Sequence, residues 1–310
     1  MVEVGIHSKN MSIKRRGFAV RGTGYDARER SARRRIAAAL AFPHGWQSPN
    51  CQERAEAGRL VSRQPSPPAR RGRSVSLSIL YEDNHLLVVN KPAGLPTQGA
   101  LPDVPSLYTI GCDYLRRKYQ KPGNVYLGIV MRLDACTSGV VVLARTSKAA
   151  ARLSLQFRER ETHKVYWAVV DGAPEAEQGE YVDWVAKDER QQRMKVVRCD
   201  GPAAQLARLQ YRVLQRLSGG RTLLAVTLDT GRKHQIRLQM AARGTPILGD
   251  AKYGSHASFA PPGIALHAAR LELRHPVKQD ELRFQAPLPS TWDALGIPEA
   301  LHNAMRSAAS

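Results

Sequence analysis

The segment that decides the fold reads Met131-Arg132-Leu133-Asp134-Ala135-Cys136-Thr137-Ser138-Gly139, and the apolar run Val140 to Ala144 follows it directly. Another apolar run, Tyr126 to Val130, precedes it. The composition of the two runs predicts buried strands joined by a short polar loop. A carboxylate held rigidly at the end of sheet strands is suited to act as a nucleophile or a general base. The residues alone also allow a simpler role, in which the side chain of Asp134 accepts hydrogen bonds from backbone N–H groups and shapes a turn.

The loop around Asp134 resembles the signature of the RluA-type pseudouridine synthases, which is Arg-Leu-Asp-x-x-Thr-Ser-Gly followed by an aliphatic strand. The resemblance implies that Asp134 is the catalytic nucleophile and that Arg132 fills the space vacated by a flipped base. The family usually has histidine immediately before this pattern, whereas this chain has Met131. We expect a structural role for that position.

Composition predicts a polyanionic partner. The chain has 310 residues, 43% of them hydrophobic, which is enough for a packed core. Its 47 lysines and arginines against 27 acidic residues give a formal charge of +20, and phosphate contacts with such residues dominate nucleic-acid affinity. No apolar stretch approaches the roughly 18 residues that a membrane-spanning helix needs. We therefore expect a soluble, monomeric protein that binds RNA and no membrane.

The cysteines predict neither disulfides nor a metal site. Four are present, far apart and without CxxC pairs or metal-ligand spacing to histidine: Cys51, Cys112, Cys136 and Cys199. The sequence also contains no Gly-rich phosphate-binding loop. The simplest interpretation is a protein of the reducing cytoplasm that uses no metal and no other cofactor.

Residues 1–76 differ from the rest of the chain. They contain 16 lysines and arginines against 5 acidic residues, and a run of prolines and arginines at 65–73 predicts disorder. Three interpretations stay open for this extension: a basic arm that tethers RNA, a transit peptide, and an over-long gene model. We expect the catalytic domain at residues 77–292 and a C-terminal tail at 293–310.

Within the domain, period-2 alternation and β-branched content predict strands, and amphipathic stripes predict helices. The expected strands are 78–81, 85–90, 163–170, 181–184, 194–197, 208–213, 222–228 and 281–285. Residues 266–268 and 273–276 resemble the closing strands of the family's domain, and the resemblance implies strands there too. The expected helices are 106–118, 147–160 with Ser147 as N-cap, and a helix that follows Gly231 and stops at Gly244. Residues 171–203 are interpreted as a surface hairpin excursion. An antiparallel hairpin at 208–228 favours an α+β fold over alternating βαβ units.

Two more segments resemble family elements. Lys91-Pro92-Ala93-Gly94 resembles the Lys-Pro-x-Gly loop at the start of the family's catalytic domain, and we expect Lys91 to bind RNA. Lys164-Val165-Tyr166 resembles the Lys-x-Tyr element, whose tyrosine stacks on the target base. A base removed from an RNA stack needs such a π-face. Without the resemblance, Tyr166 would be interpreted as a core tyrosine with a bonded hydroxyl.

The resemblance extends to Thr230-Gly231-Arg232-Lys233-His234-Gln235-Ile236-Arg237, which is similar to the family's Thr-Gly-Arg-x-His-Gln-Ile-Arg motif. It implies that Arg237 pairs with Asp134, and such a pair would lock the carboxylate rotamer and satisfy its oxygens in a closed site. Residues 246–254 resemble the family's Gly-Asp-x-x-Tyr-Gly segment. A plain solvated basic face fits the middle of the first motif, but contacts with RNA phosphates are expected there from Arg232, Lys233 and His234.

The resemblance implies a mixed, mainly antiparallel central sheet with flanking helices, and the activity of an RNA pseudouridine synthase. Such an enzyme extrudes a specific uridine of ribosomal or transfer RNA, breaks its N–C glycosidic bond, rotates the base and rejoins it through carbon with release of the C5 proton. Asp134 would attack C1′ of the sugar or abstract the C2′ proton, and the sequence leaves both routes open. Tyr166 would stack on the base and could help to remove the C5 proton.

Two other classes of protein are considered. One is a non-catalytic RNA-binding protein that retains the fold. The other is a glycoside hydrolase, which needs a second carboxylate near Asp134 that neither signature stretch supplies.

Overall fold

The computed structural model describes residues 77–99, 104–198, 201, 203–298 and 301. The basic extension and the end of the expected tail lie outside these residues. The strands are β1 (Ser78–Glu82), β2 (Leu86–Lys91), β3 (Gly128–Ile129), β4 (Ser138–Ala144), β5 (His163–Asp171), β6 (Gln178–Asp188), β7 (Arg193–Val197), β8 (Gln205–Leu217), β9 (Arg221–Leu228), β10 (Leu266–Arg274) and β11 (Glu281–Gln285). The helices are α1 (Leu107–Lys118), α2 (Ser147–Glu159) and α3 (Gln235–Ala241), with 3-10 turns at Ala251–Tyr253 and Ser290–Leu295. In this part of the chain, no helix is long and apolar enough to cross a membrane.

The strands form one sheet in the order β1-β2-β4-β10-β5-β9-β8-β6-β7, with β3 beside β4 and β11 beside β10. Among the strand pairs of the described residues, β4 and β10 run parallel and the others run antiparallel. The expected α+β class, with a mixed and mainly antiparallel central sheet, is therefore confirmed.

Strand β4 lies inside the sheet and carries the Asp134 loop at its N-terminal end. All seven of its residues are buried, as expected for a run of small and aliphatic side chains without charge. It pairs with β2 on one side, and on the other side with β10 at Ser138 and Gly139 and with β3 at Leu143 and Ala144. Gly139 has φ +117, and a Cβ there would collide with the backbone of Ala268. The position therefore requires glycine where the two parallel strands meet.

Residues 171–198 extend the sheet instead of leaving it. Strand β6 pairs with β8 from Gln178 to Val185 and with β7 from Trp184 to Asp188. The expected hairpin is confirmed as β6 and β7, but its interpretation as an excursion from the sheet is wrong. Strand β6 has eleven residues, and Val185 alone among them is fully buried, so its apolar signal in the sequence is weak.

The helix starts differ in detail from the expected ones. Ser106 caps α1 with a capping box, in which the Thr109 N–H donates to the Ser106 hydroxyl at 3.2 Å. Thr146 caps α2 by accepting the Ala149 N–H at 3.1 Å, so the prediction of Ser147 as N-cap is wrong by one residue. Helix α3 begins at Gln235 and not directly after Gly231, because His234 has the left-handed φ of 55°, which interrupts the helical backbone.

The folded core continues past the expected boundary at residue 292. Trp292 is 1% exposed and packs in a cluster with Trp167, Phe259, Leu295 and Ile297. The domain therefore extends at least to Ile297, and the prediction of a tail that begins at 293 is wrong.

Candidate active site

Asp134 is presented by a turn that directly precedes β4. The Thr137 N–H donates to the main-chain carbonyl of Asp134 at 3.1 Å, so backbone atoms close the turn. The carboxylate, 26% exposed, instead accepts from Arg237, whose Nη1 lies 2.9 Å from Oδ2. The interpretation of Asp134 as a residue that only shapes the turn is therefore wrong. Met131, just before the loop, packs half-buried against the hydrophobic core, in keeping with a structural role.

Arg237 connects α3 to the Asp134 loop. Its side chain is buried, with 5% of the residue exposed, and the predicted contact with Asp134 is present. Its Nε and Nη2 atoms donate to the two oxygens of Asp250 at 2.7 and 2.9 Å. Burial opposes the guanidinium charge, but the hydrogen bonds and charge of Asp250, together with Asp134, raise the pKa of Arg237 above its ordinary value. The buried guanidinium of Arg237 thus forms ion pairs with two carboxylates, those of Asp134 and Asp250.

Asp250 is a site residue that the sequence reasoning missed. It is 1% exposed and lies in the segment that resembles Gly-Asp-x-x-Tyr-Gly, where an acidic residue between glycine and tyrosine was the available signal. Asp250 is the second carboxylate that a glycoside hydrolase would need near Asp134, since both contact Arg237, but its contacts argue against that interpretation. Both of its oxygens are bound by Arg237, so it is not free to protonate a leaving group.

A small pocket of about 70 Å³ opens in front of Asp134. Tyr166 of β5 lies in its wall and is 7% exposed, and Arg237 closes the far side. Burial, with the charge of Asp134, raises the pKa of the Tyr166 phenol. The complete lining is Arg132, Leu133, Asp134, Thr137, Tyr166, Leu228, Arg232, His234, Gln235, Ile236, Arg237 and Leu266. The three residues expected to be catalytic therefore face one cavity.

A larger groove of about 720 Å³ adjoins the pocket along the Asp134 loop. It is bordered by residues 96–98, 129–135 and 231–234. Thr97 holds this border in place, since its hydroxyl donates to the Leu133 carbonyl at 2.9 Å and accepts the Leu133 N–H at 3.1 Å. Arg132 is exposed and lines both the groove and the pocket, so it stands where the two spaces meet.

Lys91 has a structural role, and the prediction that it binds RNA is wrong. The residue is 0% exposed, and its ammonium donates to the carbonyls of Pro92, Leu95 and Ala135 at 2.9, 2.7 and 3.2 Å. All three N–H groups are used, so none is available to a phosphate. Burial lowers the pKa of Lys91 to about 8. Because Ala135 follows Asp134, the lysine fastens the Lys-Pro loop to the Asp134 loop.

The basic residues before α3 do not form one solvated face. Lys233 is exposed, whereas Arg232 is half-buried and its Nε donates to the Leu206 carbonyl at 3.0 Å. The side chain of His234 is 11% exposed, and its Nε2 lies 3.7 Å from Oδ1 of Asp134. The solvated-face interpretation is wrong for His234, which belongs to the surroundings of the carboxylate. Contacts of these residues with RNA stay a prediction.

Strand β4 is fastened to β10 by a buried side-chain contact that the sequence reasoning did not find. The Ser138 hydroxyl and Nδ1 of His267 lie 2.8 Å apart, and Nε2 of His267 lies 3.2 Å from the Ala286 carbonyl. Since a carbonyl only accepts, Nε2 carries the proton and Nδ1 accepts from the serine. Complete burial lowers the pKa of His267 to about 4, so the imidazole is neutral near pH 7.

Comparison with known proteins decides the family. A family model described as RNA pseudouridylate synthase matches residues 85–242, which is half of the chain. This chain belongs to the RluA-type pseudouridine synthases. It is similar to the dual-specificity RNA pseudouridine synthase RluA of Haemophilus influenzae, with 37% identity over 219 residues that cover 68% of this chain and 92% of that protein. It is also 34% identical to the ribosomal large subunit pseudouridine synthase D of Zymomonas mobilis, over 74% of this chain and 75% of that protein.

A solved structure agrees with this family. This chain is similar to human RNA pseudouridylate synthase domain containing 1, with a TM-score of 0.59 and 26% identity over 77% of this chain and 98% of the human chain. The family expected from the sequence motifs is confirmed, and so is the activity. The protein is an RNA pseudouridine synthase, an isomerase.

Proposed function

We propose that this synthase isomerises specific uridines in ribosomal or transfer RNA, with Asp134 as the catalytic carboxylate. The observation that carries the proposal is the carboxylate of Asp134, held by Arg237 at the mouth of a pocket of about 70 Å³ that Tyr166 lines. The pocket is far too small for duplex RNA, so the target uridine has to leave its stack before it reaches Asp134. The names of two relatives, one dual-specific and one acting on the large ribosomal subunit, support structured RNA as the target.

The proposed reaction begins with loss of the bond between N1 of uracil and C1′. Either Asp134 attacks C1′ and uracil leaves with the bonding electrons, or Asp134 takes the C2′ proton as the base departs. The detached uracil rotates, and its C5 forms the new bond to C1′. In the first route this bond displaces Asp134, and in the second the proton returns to C2′. Loss of the proton from C5 and gain of a proton at N1 then restore the conjugated uracil ring, so the product is an isomer of the substrate and no co-reactant is consumed.

The remaining side chains have supporting roles in this proposal. Tyr166 stacks on the flipped uracil and keeps it in the pocket while it rotates. Arg132, at the junction of pocket and groove, fills the gap that the flipped base leaves in the RNA. Extrusion costs a few kcal/mol, which contacts between RNA phosphates and exposed basic residues such as Lys233 offset. We further propose that the protein acts in the cytoplasm as a monomer and needs no cofactor.

The decisive experiment maps pseudouridine in ribosomal and transfer RNA by carbodiimide treatment and primer extension. Cells with the wild-type protein are compared with cells that carry only Asp134→Asn. Asp183→Asn serves as the matched control, because Asp183 also pairs with an arginine, Arg243, on the β6 side of the fold. We expect one or a few stops to disappear with Asp134→Asn and to persist with Asp183→Asn. Persistence of every stop, with folded Asp134→Asn protein present, would refute the assignment of Asp134.

A further inference from the structure

His234 has an uncommon backbone that its own helix does not explain. It directly precedes α3 with φ 55°, and its side chain makes no capping hydrogen bond to that helix. Residues other than glycine adopt left-handed conformations rarely, and such strain persists where the surroundings fix it. The imidazole turns inward, with 11% of the side chain exposed, and brings Nε2 to 3.7 Å from Oδ1 of Asp134.

The contacts of Tyr253 determine which imidazole nitrogen carries the proton. Nδ1 of His234 lies 2.9 Å from the Tyr253 hydroxyl, and that same oxygen accepts the Met194 N–H at 3.1 Å. Among the hydrogen bonds of the described residues, Nδ1 of His234 is the acceptor available to the phenol proton, which is therefore directed at it. Nδ1 is then an acceptor, and a neutral imidazole in this arrangement has its N–H at Nε2, facing Asp134.

The ring of Tyr253 is itself held in place. It is 7% exposed, it stacks against the guanidinium of Arg237 at 5.1 Å, and it contacts the imidazole of His234 edge to face at 5.7 Å. The phenol is therefore in a fixed position relative to both residues that flank Asp134.

We propose that His234 is a positioning residue that holds Oδ1 of Asp134 through its Nε2–H while Arg237 holds Oδ2, and that the Tyr253 hydroxyl selects the tautomer that makes this possible. The inference rests on the proposed role of Asp134. At 3.7 Å the contact is longer than a hydrogen bond, as catalytic contacts often are before substrate binds, and it shortens when RNA fills the pocket. Two donors on different oxygens then fix the carboxylate plane, which one donor cannot do.

The surroundings of His234 keep its imidazole neutral near pH 7, where the choice of tautomer matters. Burial is the largest influence and lowers the pKa of the imidazole below its ordinary value; Arg237, Lys233 and Lys252 act in the same direction. Asp134 acts in the opposite direction. The imidazole is therefore neutral near pH 7, and a single proton has to be placed on one of its two nitrogens.

The test is Tyr253→Phe, which keeps the ring against Arg237 and removes the group that donates to Nδ1. Without that donor the imidazole can place its proton on Nδ1 and turn a lone pair toward Asp134. We expect the single-turnover rate at pH 8 to fall about 10-fold or more, as for loss of a hydrogen bond to a charged group, with unchanged RNA affinity. Acid should reduce the deficit, because imidazolium carries N–H on both nitrogens. Tyr211→Phe, at a buried tyrosine in β8, is the control and should have the wild-type rate.

The ratio of wild-type to Tyr253→Phe rates is therefore measured from pH 8 down through the titration of His234, which NMR of its imidazole protons follows in each protein. A ratio that decreases as His234 becomes protonated supports the inference, whereas a ratio that stays constant through that titration overturns it, since a purely structural loss is not relieved by protonation. His234→Gln offers a second measurement, because its amide N–H can reach the place of Nε2–H. It should be faster than His234→Ala, and equal rates would overturn the inference. If Asp134→Asn were active, the proposed function itself would fail; if it is inactive while these variants are normal, only the role of His234 fails.

Discussion

Replacing Asp250 by asparagine tests whether Arg237 depends on two carboxylates. Asp250 is 1% exposed, and its oxygens accept from Nε and Nη2 of Arg237 at 2.7 and 2.9 Å. The change to asparagine preserves the shape but removes a buried charge, and it turns an amide NH₂ toward a guanidinium that also donates. Removal of one partner from a buried ion pair is destabilising by about 3–5 kcal/mol.

Arg237 keeps Asp134 as its other partner, so we expect the lower end, about 3 kcal/mol in the free energy of unfolding. For a domain of roughly 150–250 residues, each kcal/mol shifts Tm by about 2–4 °C, which gives a fall of about 6–12 °C. The guanidinium also loses the contacts that aim Nη1 at Asp134. A misplaced catalytic group lowers turnover by about 10- to 100-fold, and we expect that loss in kcat with little change in KM.

Thermal unfolding and release of tritium from C5-labelled uridine in RNA measure the two effects. The control is Asp183→Asn, which weakens two hydrogen bonds from Arg243, at 2.6 and 3.1 Å, where the arginine side chain is 30% exposed. The asparagine oxygen can still accept the third hydrogen bond at this position, which Nε2 of Gln239 donates at 2.7 Å. We expect a smaller stability loss for this control and an unchanged kcat, because partly exposed ion pairs contribute little. An Asp250→Asn protein that melts within 2 °C of wild type and turns over normally would refute the argument that Asp250 supports the site through Arg237.

Three further changes test other parts of the fold. Lys91→Met should lower the free energy of unfolding by about 2–4 kcal/mol, because it leaves three carbonyls without a donor. Between about pH 8 and the ordinary lysine pKa of about 10.4, the unfolded lysine binds more protons than folded Lys91, so the stability of wild type relative to the variant should increase with pH. Urea titrations that show no such increase would contradict this. Wild type should lose up to about 3 kcal/mol of its free energy of unfolding on acidification, because unfolded His267 takes up a proton near pH 6.5 whereas folded His267 has a pKa of about 4. His267→Gln should remove this loss, and parallel acid-unfolding curves for the two proteins would refute the argument. Ile297→Ala should cost about 2–5 kcal/mol in urea unfolding, whereas a domain that ended at 292 would tolerate the change.

Local sequence patterns predicted those secondary-structure elements whose formation depends on neighbouring residues in the chain. The apolar run after the Asp134 loop predicted β4, and the element is buried along its whole length. The contact between Asp134 and Arg237 joins residues 103 positions apart, and only the resemblance to a family motif could predict it. The N-cap of α2 was assigned one residue late because Thr146 and Ser147 are both able to cap a helix, and backbone geometry decides between them.

The missed features depend on contacts that no local pattern records. A lysine in a Lys-Pro loop looks exposed in the sequence, but three carbonyls from two loops, one of them 44 positions away, surround the ammonium of Lys91. The bond from Ser138 to His267 spans 129 positions. Strand β6 was underestimated because its residues are mostly half-exposed at the side of the sheet, where hydrophobic alternation is weak.

Asp250 also explains how the site can keep its shape while the charge on Asp134 changes. In either proposed route Asp134 loses its negative charge, because its oxygen bonds to C1′ or takes the C2′ proton. An arginine paired with Asp134 alone would then be a buried cation without a partner, and its desolvation would oppose the reaction. Arg237 instead has two of its donors fixed on Asp250, which takes no part in the chemistry, and it contacts Asp134 through Nη1. The ion pair with Asp250 persists through the reaction, so Nη1 stays in place to receive the carboxylate when the charge returns.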